Sequence, residues 1–426
     1  MSSSIRRVGI YGSSSGRNAG DAALIGAIME ACDKEFGQRL VYDIPTYRPD
    51  YILYEYPNKT KPVSMLPWHG AYGMFSAQTA LSFRQCDLNI IYDNMLFDRK
   101  LWDQLFNYMP AVWAYFTKCK RKNQLLGMYN VGTGPVTTAR GRSMLREIAD
   151  ACDLITIRDQ DSLTLLRDVG VTHNRVLVTA DAAVGLEPSS KDVAKKMLNE
   201  VGLELGQEVL GCNVNSYLNT WSDKAGSSLT PEAFADIYAA AVTKVAKEIN
   251  VPLVFIATQH SDMKITKLVT DRIPKDIKTA VISNIRYNHA DMKAVLGEIS
   301  FLFAMRLHAN ILATSMCTPA VALSFQKKVT SYYTDLGLEK CLMNFDSFSS
   351  DSLYNHAIWG WNNRAAIRAH LEHRMPFVKQ KALVAALAFK VLAKTRNPDE
   401  AVKVGNEALL QIQQNLAPLP QLAVGG

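Results

Sequence analysis

The sequence predicts an α/β protein made of two Rossmann-like halves facing a cleft. Three observations predict it. Short runs rich in Val and Ile alternate with helical patterns, as in parallel sheets flanked by helices. The alternation stops over the charged, strandless stretch Glu187 to Gly206 and then restarts. The chain has 426 residues, enough for two domains with substantial cores.

The elements follow in order. The first strand is predicted over Arg7 to Tyr11, then the turn GSSSGRNAGD and the helical AALIGAIMEAC. Further strands are predicted over Leu40 to Ile44, Leu88 to Tyr92, Leu125 to Asn130, Leu154 to Ile157 and Val176 to Thr179. Glu187 to Gly206 reads as a largely helical connector. The second series opens with a strand over Val209 to Val214 and an amphipathic helix over Pro231 to Ile249. Strands over Leu253 to Ala257, Ala280 to Ile282, Ser300 to Ala304 and Ala320 to Ser324 complete it. Ser352 to Arg396 is mostly helical, and the closing LAPLPQLAVGG is expected to be frayed or loosely docked. The implied domains are 1–188, 189–350 and a helical return over 351–426. Ligands in such sheets sit beyond the carboxyl ends of the strands.

Composition narrows the class. With 48% hydrophobic and 20% charged residues the chain is globular rather than disordered or fibrous. Lys and Arg exceed Asp and Glu by 47 − 40 = 7. That excess suits an anionic ligand and falls short of a nucleic-acid-binding signature. The most basic run, Lys118 to Lys122, reads as a solvated helix end. Seven cysteines without a Cys-x-x-Cys give neither a disulfide framework nor a zinc site, so reduced thiols and a cytoplasmic location are expected. No signal peptide is read at the start. The longest uncharged stretch, Leu307 to Gln326, holds His308, Asn310 and Pro319 and makes a poor membrane span. The helix around Ala382 to Lys394 has an apolar face with flanking lysines. Two readings are open for it, packing onto the N-terminal domain or touching a membrane surface.

Five stretches could carry chemistry. The first is Gly12 to Asp21, where small residues let a ligand approach the backbone at a helix N-terminus. It is neither a P-loop nor a dinucleotide fingerprint. Asn18, Gly20 and Asp21 are its candidate contacts, and Asp21 reads equally well as a helix cap. The second is Asn130 to Pro135, with Gly132 and Gly134 either at a ligand or in a structural turn. The third is Arg158 at the end of an apolar strand, a fork for carboxylate or phosphate or the partner of Asp159 or Asp161. The fourth is the most informative. Arg306 and His308 follow the apolar Phe301 to Met305 and open a helix of small residues. Burying Arg and His there is costly unless they are paired or used. The fifth is the lysine pair Lys327 and Lys328 after the last predicted strand, at a site or simply solvated.

Taken together, these residues resemble the polysaccharide pyruvyl transferase family. Asn18-Ala-Gly20-Asp21-Ala-Ala-Leu24 is similar to the family's Asn-x-Gly-Asp-x-x-Leu. Gly132-Thr-Gly134-Pro135, Ile157-Arg158-Asp159 with Ser162, and Asp181 follow in the family's order. Met305-Arg306-Leu307-His308-Ala309, Pro319 and Lys328-Val329 close the match, which spans roughly residues 7 to 340. Two departures stand out. The family's Gly-Gly after the strand at 88–92 is replaced by Ile91-Tyr92-Asp93-Asn94-Met95, which would narrow one side of the cleft. The Tyr of its Tyr-x-x-Lys is Phe325 here.

The resemblance implies a fold like the B-type glycosyltransferases and a phosphoenolpyruvate donor. It also implies a pyruvate ketal on a glycan or lipid-linked sugar acceptor, such as an exopolysaccharide precursor. No cofactor or metal is implied. Arg158 and Arg306 would bind the donor, His308 would supply the proton, and Lys328 would screen the departing phosphate. Asp93 is the candidate base on the acceptor side. Peripheral attachment to the inner face of a membrane and self-association both suit such an enzyme. The rivals are a nucleotide-sugar glycosyltransferase, with Glu298 available for a ribose but no clear nucleotide motif around it, and a sugar- or phosphate-binding relative without catalysis.

Overall fold

A computed structural model describes residues 5–14, 17–57, 59–65, 77–103, 106–216, 229–324, 326–345 and 348–416. Ser15, Gly16, Phe325 and the closing residues 417–426, all named above, lie outside the described residues. The chain forms two units, each around its own parallel sheet.

The N-terminal unit holds β1 (Arg7–Tyr11), β2 (Val41–Thr46), β3 (Thr60–Ser64), β4 (Leu88–Ile91), β5 (Leu125–Val131), β6 (Leu154–Ile157) and β7 (Val176–Val178). Their order is β3-β2-β1-β4-β5-β6-β7, and every pairing is parallel. The strands β4, β5 and β6 are buried along their whole length, as a sheet covered on both faces requires. The order reverses between β1 and β4, which puts the switch point at the loops after Tyr11 and Ile91.

The C-terminal unit repeats the design with β8 (Leu210–Asn213), β9 (Leu253–Ala257), β10 (Thr279–Ser283), β11 (Phe301–Ala304), β12 (Ala320–Ser324) and β13 (Leu342–Asn344). Their order is β10-β9-β8-β11-β12-β13, again all parallel. Here the switch point lies between β8 and β11. Every residue of the helix Leu307–Thr314 is buried.

All strands read from the sequence are present within two residues at each end. Two others, β3 and β13, were not read. Both are edge strands, and β3 carries Pro62, which an edge tolerates because its missing N–H faces no neighbour.

The unit boundaries differ from the expected ones in three places. The first boundary falls after Leu186 rather than 188. Residues 17–20 belong to the C-terminal unit, because the Ala19 N–H donates to the Thr258 carbonyl (2.8 Å) and the His260 N–H to the Arg17 carbonyl (2.9 Å). The helical return is not a separate body. Residues up to Pro376 belong to the C-terminal unit, and those from Phe377 belong to the N-terminal unit. There Phe389 stacks on Tyr129 at 5.6 Å, over the space left by Gly127. Asn130 Nδ2 donates to the Ala382 carbonyl at 3.0 Å. Ala385, Ala386, Ala388, Phe389 and Leu392 are buried, so the apolar face of this helix is used inside the unit rather than offered to a membrane. Among the described residues no helix is long and apolar enough to cross a membrane. All seven cysteines are free, and five of them are buried.

Candidate active site

In the N-terminal unit the candidate residues gather at the carboxyl ends of the strands. Asp93 and Asn94 follow β4, Gly132 and Gly134 follow β5, Arg158 follows β6, and Asp181 stands beyond β7. Arg158 is 7% exposed. Its Nη1 donates to Asp181 Oδ2 at 2.9 Å, and its Nε to Asp159 Oδ2 at 3.4 Å. Asp159 also caps the helix Gln160–Asp168 by accepting the Ser162 N–H (2.7 Å), as its place after a strand suggests. The local pairing read from the sequence is therefore half the account, and the distant Asp181 is the closer partner. Burial alone lowers the Arg158 pKa. The carboxylates of Asp181, Asp159 and Asp93 outweigh it and hold the pKa above its ordinary value.

The glycine turn has a physical cause. A Cβ on Gly132 would lie 2.6 Å from both Nε and Nη2 of Arg158, so only glycine lets the loop pass the guanidinium. Gly134 has φ +89°, a conformation that glycine adopts without strain. With its amide turned to donate, Asn94 reaches the carbonyls of Gly132 (2.8 Å) and Gly134 (3.2 Å). Asp93, at φ +65°, lies close enough to Arg158 to raise its pKa. We predict that Gly132→Ala displaces the guanidinium from Asp181 and costs roughly 1–3 kcal/mol of stability, as overpacking does. An unchanged urea midpoint would contradict that packing.

Tyr92 stands where the family's Gly-Gly would be. It is fully buried and packs against Gly12, whose Cβ would meet the ring at 2.1 Å. Its hydroxyl donates to the Ser13 carbonyl at 2.7 Å. Burial, helped by Asp21 and Asp93, pushes its pKa well above the ordinary phenol value. Asp21 accepts from the Ser13 hydroxyl at 2.8 Å. It sits inside the first turn of the helix Ala19–Phe36 and does not cap it. The capping geometry falls to Asn18, whose Oδ1 accepts the Gly20 N–H at 2.9 Å.

In the C-terminal unit, Arg306 and His308 open the helix after β11, at the switch point. The Arg306 N–H donates to Asn213 Oδ1 (3.0 Å) at the end of β8. The Arg306 guanidinium grips the fully buried Asp262 with both Nε and Nη2, the latter at 2.6 Å from Oδ1. The Ser216 N–H donates to that same Oδ1 at 3.0 Å. His308 is 9% exposed, and its ring packs on Gly20, where a Cβ would lie 2.3 Å from Nδ1. Thus Gly20, whose N–H donates to Asn18 Oδ1, borders the imidazole in this unit. Lys328 lies half-buried in the first turn of the helix Lys327–Leu336, after the adjacent strand β12, and Lys327 beside it is exposed.

Two residues escaped the sequence reading, Asp262 and Asn213. An acid just past a strand's carboxyl end was the available signal for Asp262, but only the fold brings it to Arg306. Glu298 ends the helix His289–Glu298, three residues before β11 begins, and pairs with Lys191 at 3.3 Å. It therefore lies toward the amino end of that strand, away from Arg306 and His308. Among the described residues no group of three or more His, Cys, Asp or Glu is arranged to hold a metal ion.

Comparison with solved structures gives the fold class. A Listeria monocytogenes protein assigned as a UDP-N-acetylglucosamine 2-epimerase matches with TM-score 0.63 at 13% identity, over 93% of this chain and 98% of that one. The S. aureus MnaA–UDP co-structure matches with TM-score 0.61 at 12% identity, over 92% and 96%. The Neisseria meningitidis UDP-GlcNAc 2-epimerase bound to UDP-GlcNAc matches with TM-score 0.58 at 10% identity, over 96% and 100%. These likenesses fix two Rossmann-like domains of the B-type glycosyltransferase class. The family model for polysaccharide pyruvyl transferase matches residues 18–326, which include Asn18, Gly20, Asp21, Arg158, Arg306 and His308. With most of its length matched, this chain belongs to the polysaccharide pyruvyl transferase family and is an enzyme of that kind.

Proposed function

We propose that the enzyme moves the pyruvyl unit of phosphoenolpyruvate onto a pair of hydroxyls of a glycan or glycan precursor. The observation that carries this reading is the Arg306–His308 pair at the C-terminal switch point, within the matched family segment. One sugar hydroxyl adds to the enol carbon while the methylene carbon gains a proton from His308. Phosphate leaves with the proton of the first hydroxyl, and the second hydroxyl adds to the same carbon, returns a proton to His308 and closes the ketal. Imidazole suits that proton transfer near neutral pH. The step calls for no metal or further cofactor.

The electrostatics supports a division of labour. Around Arg158 stand Asp181, Asp159 and Asp93, three carboxylates to one guanidinium. That setting favours neutral sugar hydroxyls over an anion. In the other sheet Arg306 has the one carboxylate of Asp262, and Lys327 and Lys328 open the helix after the neighbouring strand β12, a helix whose dipole also favours anions. That setting favours the doubly charged donor. Arg158→Lys separates the two roles open to Arg158. A raised KM for phosphoenolpyruvate marks it as a donor ligand. An unchanged KM with lowered stability marks it as the anchor of the acceptor loops.

A nucleotide-sugar transferase shares the fold, but Glu298 does not stand with the candidate residues. Thermal-shift titration compares the two donors directly. Phosphoenolpyruvate should raise the melting temperature in a concentration-dependent way, as any ligand of the native state does. A shift with nucleotide sugars and none with phosphoenolpyruvate would reverse the assignment.

A further inference from the structure

We infer that Asp262 is the positioning residue for Arg306, setting the edge that the guanidinium turns toward the donor. The inference rests on the donor reading above. Three observations carry it. Asp262 is fully buried while the Arg306 side chain keeps 12% of its exposure, so the pair is anchored from the Asp side. The grip is two-pronged, through Nε and Nη2, which fixes both the distance and the plane of the guanidinium. Asp262 is itself held at Oδ1 by the Ser216 N–H, and the Arg306 main chain is held by Asn213. Three strand ends, those of β8, β9 and β11, thus converge on one side chain. Once the Nε–Nη2 edge is committed to Asp262, an anionic donor is met by the opposite edge.

Charge and position predict opposite signs, which makes the idea testable. Removing the Asp262 carboxylate adds a net positive charge beside the donor, so charge alone would tighten anion binding. Loss of alignment weakens it. For Asp262→Asn we expect the KM and Kd for phosphoenolpyruvate to rise by roughly tenfold to a hundredfold, the scale of a lost charged hydrogen bond, with a smaller change in kcat.

A double-variant cycle on the full chain decides between the mechanisms. If Asp262 acts through Arg306, Arg306→Gln and the double variant Asp262→Asn/Arg306→Gln bind phosphoenolpyruvate equally weakly. Arg306→Lys keeps the charge, cannot make the two-pronged grip and leaves Asp262 in place. It should lose donor affinity as Asp262→Asn does, and it carries the test if the buried Asn variant fails to fold. Unchanged or tighter donor binding in Asp262→Asn overturns the inference, as does wild-type affinity in Arg306→Lys or full additivity in the cycle. A wild-type chain that does not bind phosphoenolpyruvate overturns the donor reading itself, a separate and distinguishable outcome.

Discussion

His308→Gln is expected to lower turnover by about 10²–10⁴, the usual share of a positioned general acid, in a chain that still folds. The expectation rests on where the ring stands. It lies at the switch point of the C-terminal sheet, almost buried, on the first turn of a helix whose residues are all buried. Glutamine keeps a polar side chain there and removes the imidazole that would carry the proton. A companion variant tests the seat rather than the acid. Gly20→Ala would put a methyl 2.3 Å from Nδ1 and push the ring aside, so activity should fall with the imidazole still present. Steady-state rates at saturating donor check both. Wild-type turnover in a folded His308→Gln variant would remove the histidine from the chemistry.

The second large effect concerns stability. Asp181→Ala leaves the Arg158 guanidinium, whose side chain is 6% exposed, without its nearest carboxylate. Truncating one member of a buried pair costs about 3–5 kcal/mol, chiefly because a charge is left buried without compensation. Asp159 at 3.4 Å remains and pulls the expected loss toward the lower end. Asp181 also accepts the Ala183 N–H at 3.0 Å, so a small capping loss adds to it. Replacing Arg158 with Met in the same chain should recover part of the loss, because no unpaired charge then remains. Urea unfolding of the two single variants and the double variant measures this. A loss below about 1 kcal/mol for Asp181→Ala would show that the pair contributes no more than an exposed one.

The sequence made every interior strand legible and hid two of the four edge strands, β3 and β13. Strands such as LITI, LVFIA and FLFA are buried on both faces and read as unbroken apolar runs. TKPVS and LMN lie at sheet edges, are partly exposed and carry no such run. The candidate site divides in the same way. Arg158, Arg306 and His308 announce themselves because a charged or polar group ends an apolar strand. Their partners do not. Asp181 is 23 residues from Arg158, and Asp262 is 44 residues from Arg306. Each reads locally as an ordinary acid at the start of a helical segment. Only the parallel sheets, which bring to one side the carboxyl ends of β6 and β7, and those of β9 and β11 across β8, turn those acids into partners. Asp21 shows the converse. Its place before an apolar helix suggested a cap, whereas Asn18 has that geometry and Asp21 binds Ser13.

Pyruvyl transfer from phosphoenolpyruvate is tested by following product and phosphate together. The purified enzyme is incubated with phosphoenolpyruvate and a pool of glycans and lipid-linked sugar precursors. Products are read by mass spectrometry and inorganic phosphate is quantified in parallel. The expected result is a pyruvyl mass gain on an acceptor, matched by an equal amount of phosphate and lost in His308→Gln. Glycosyl transfer from a nucleotide sugar, with no pyruvyl gain and no acceptor-dependent phosphate release, would contradict it.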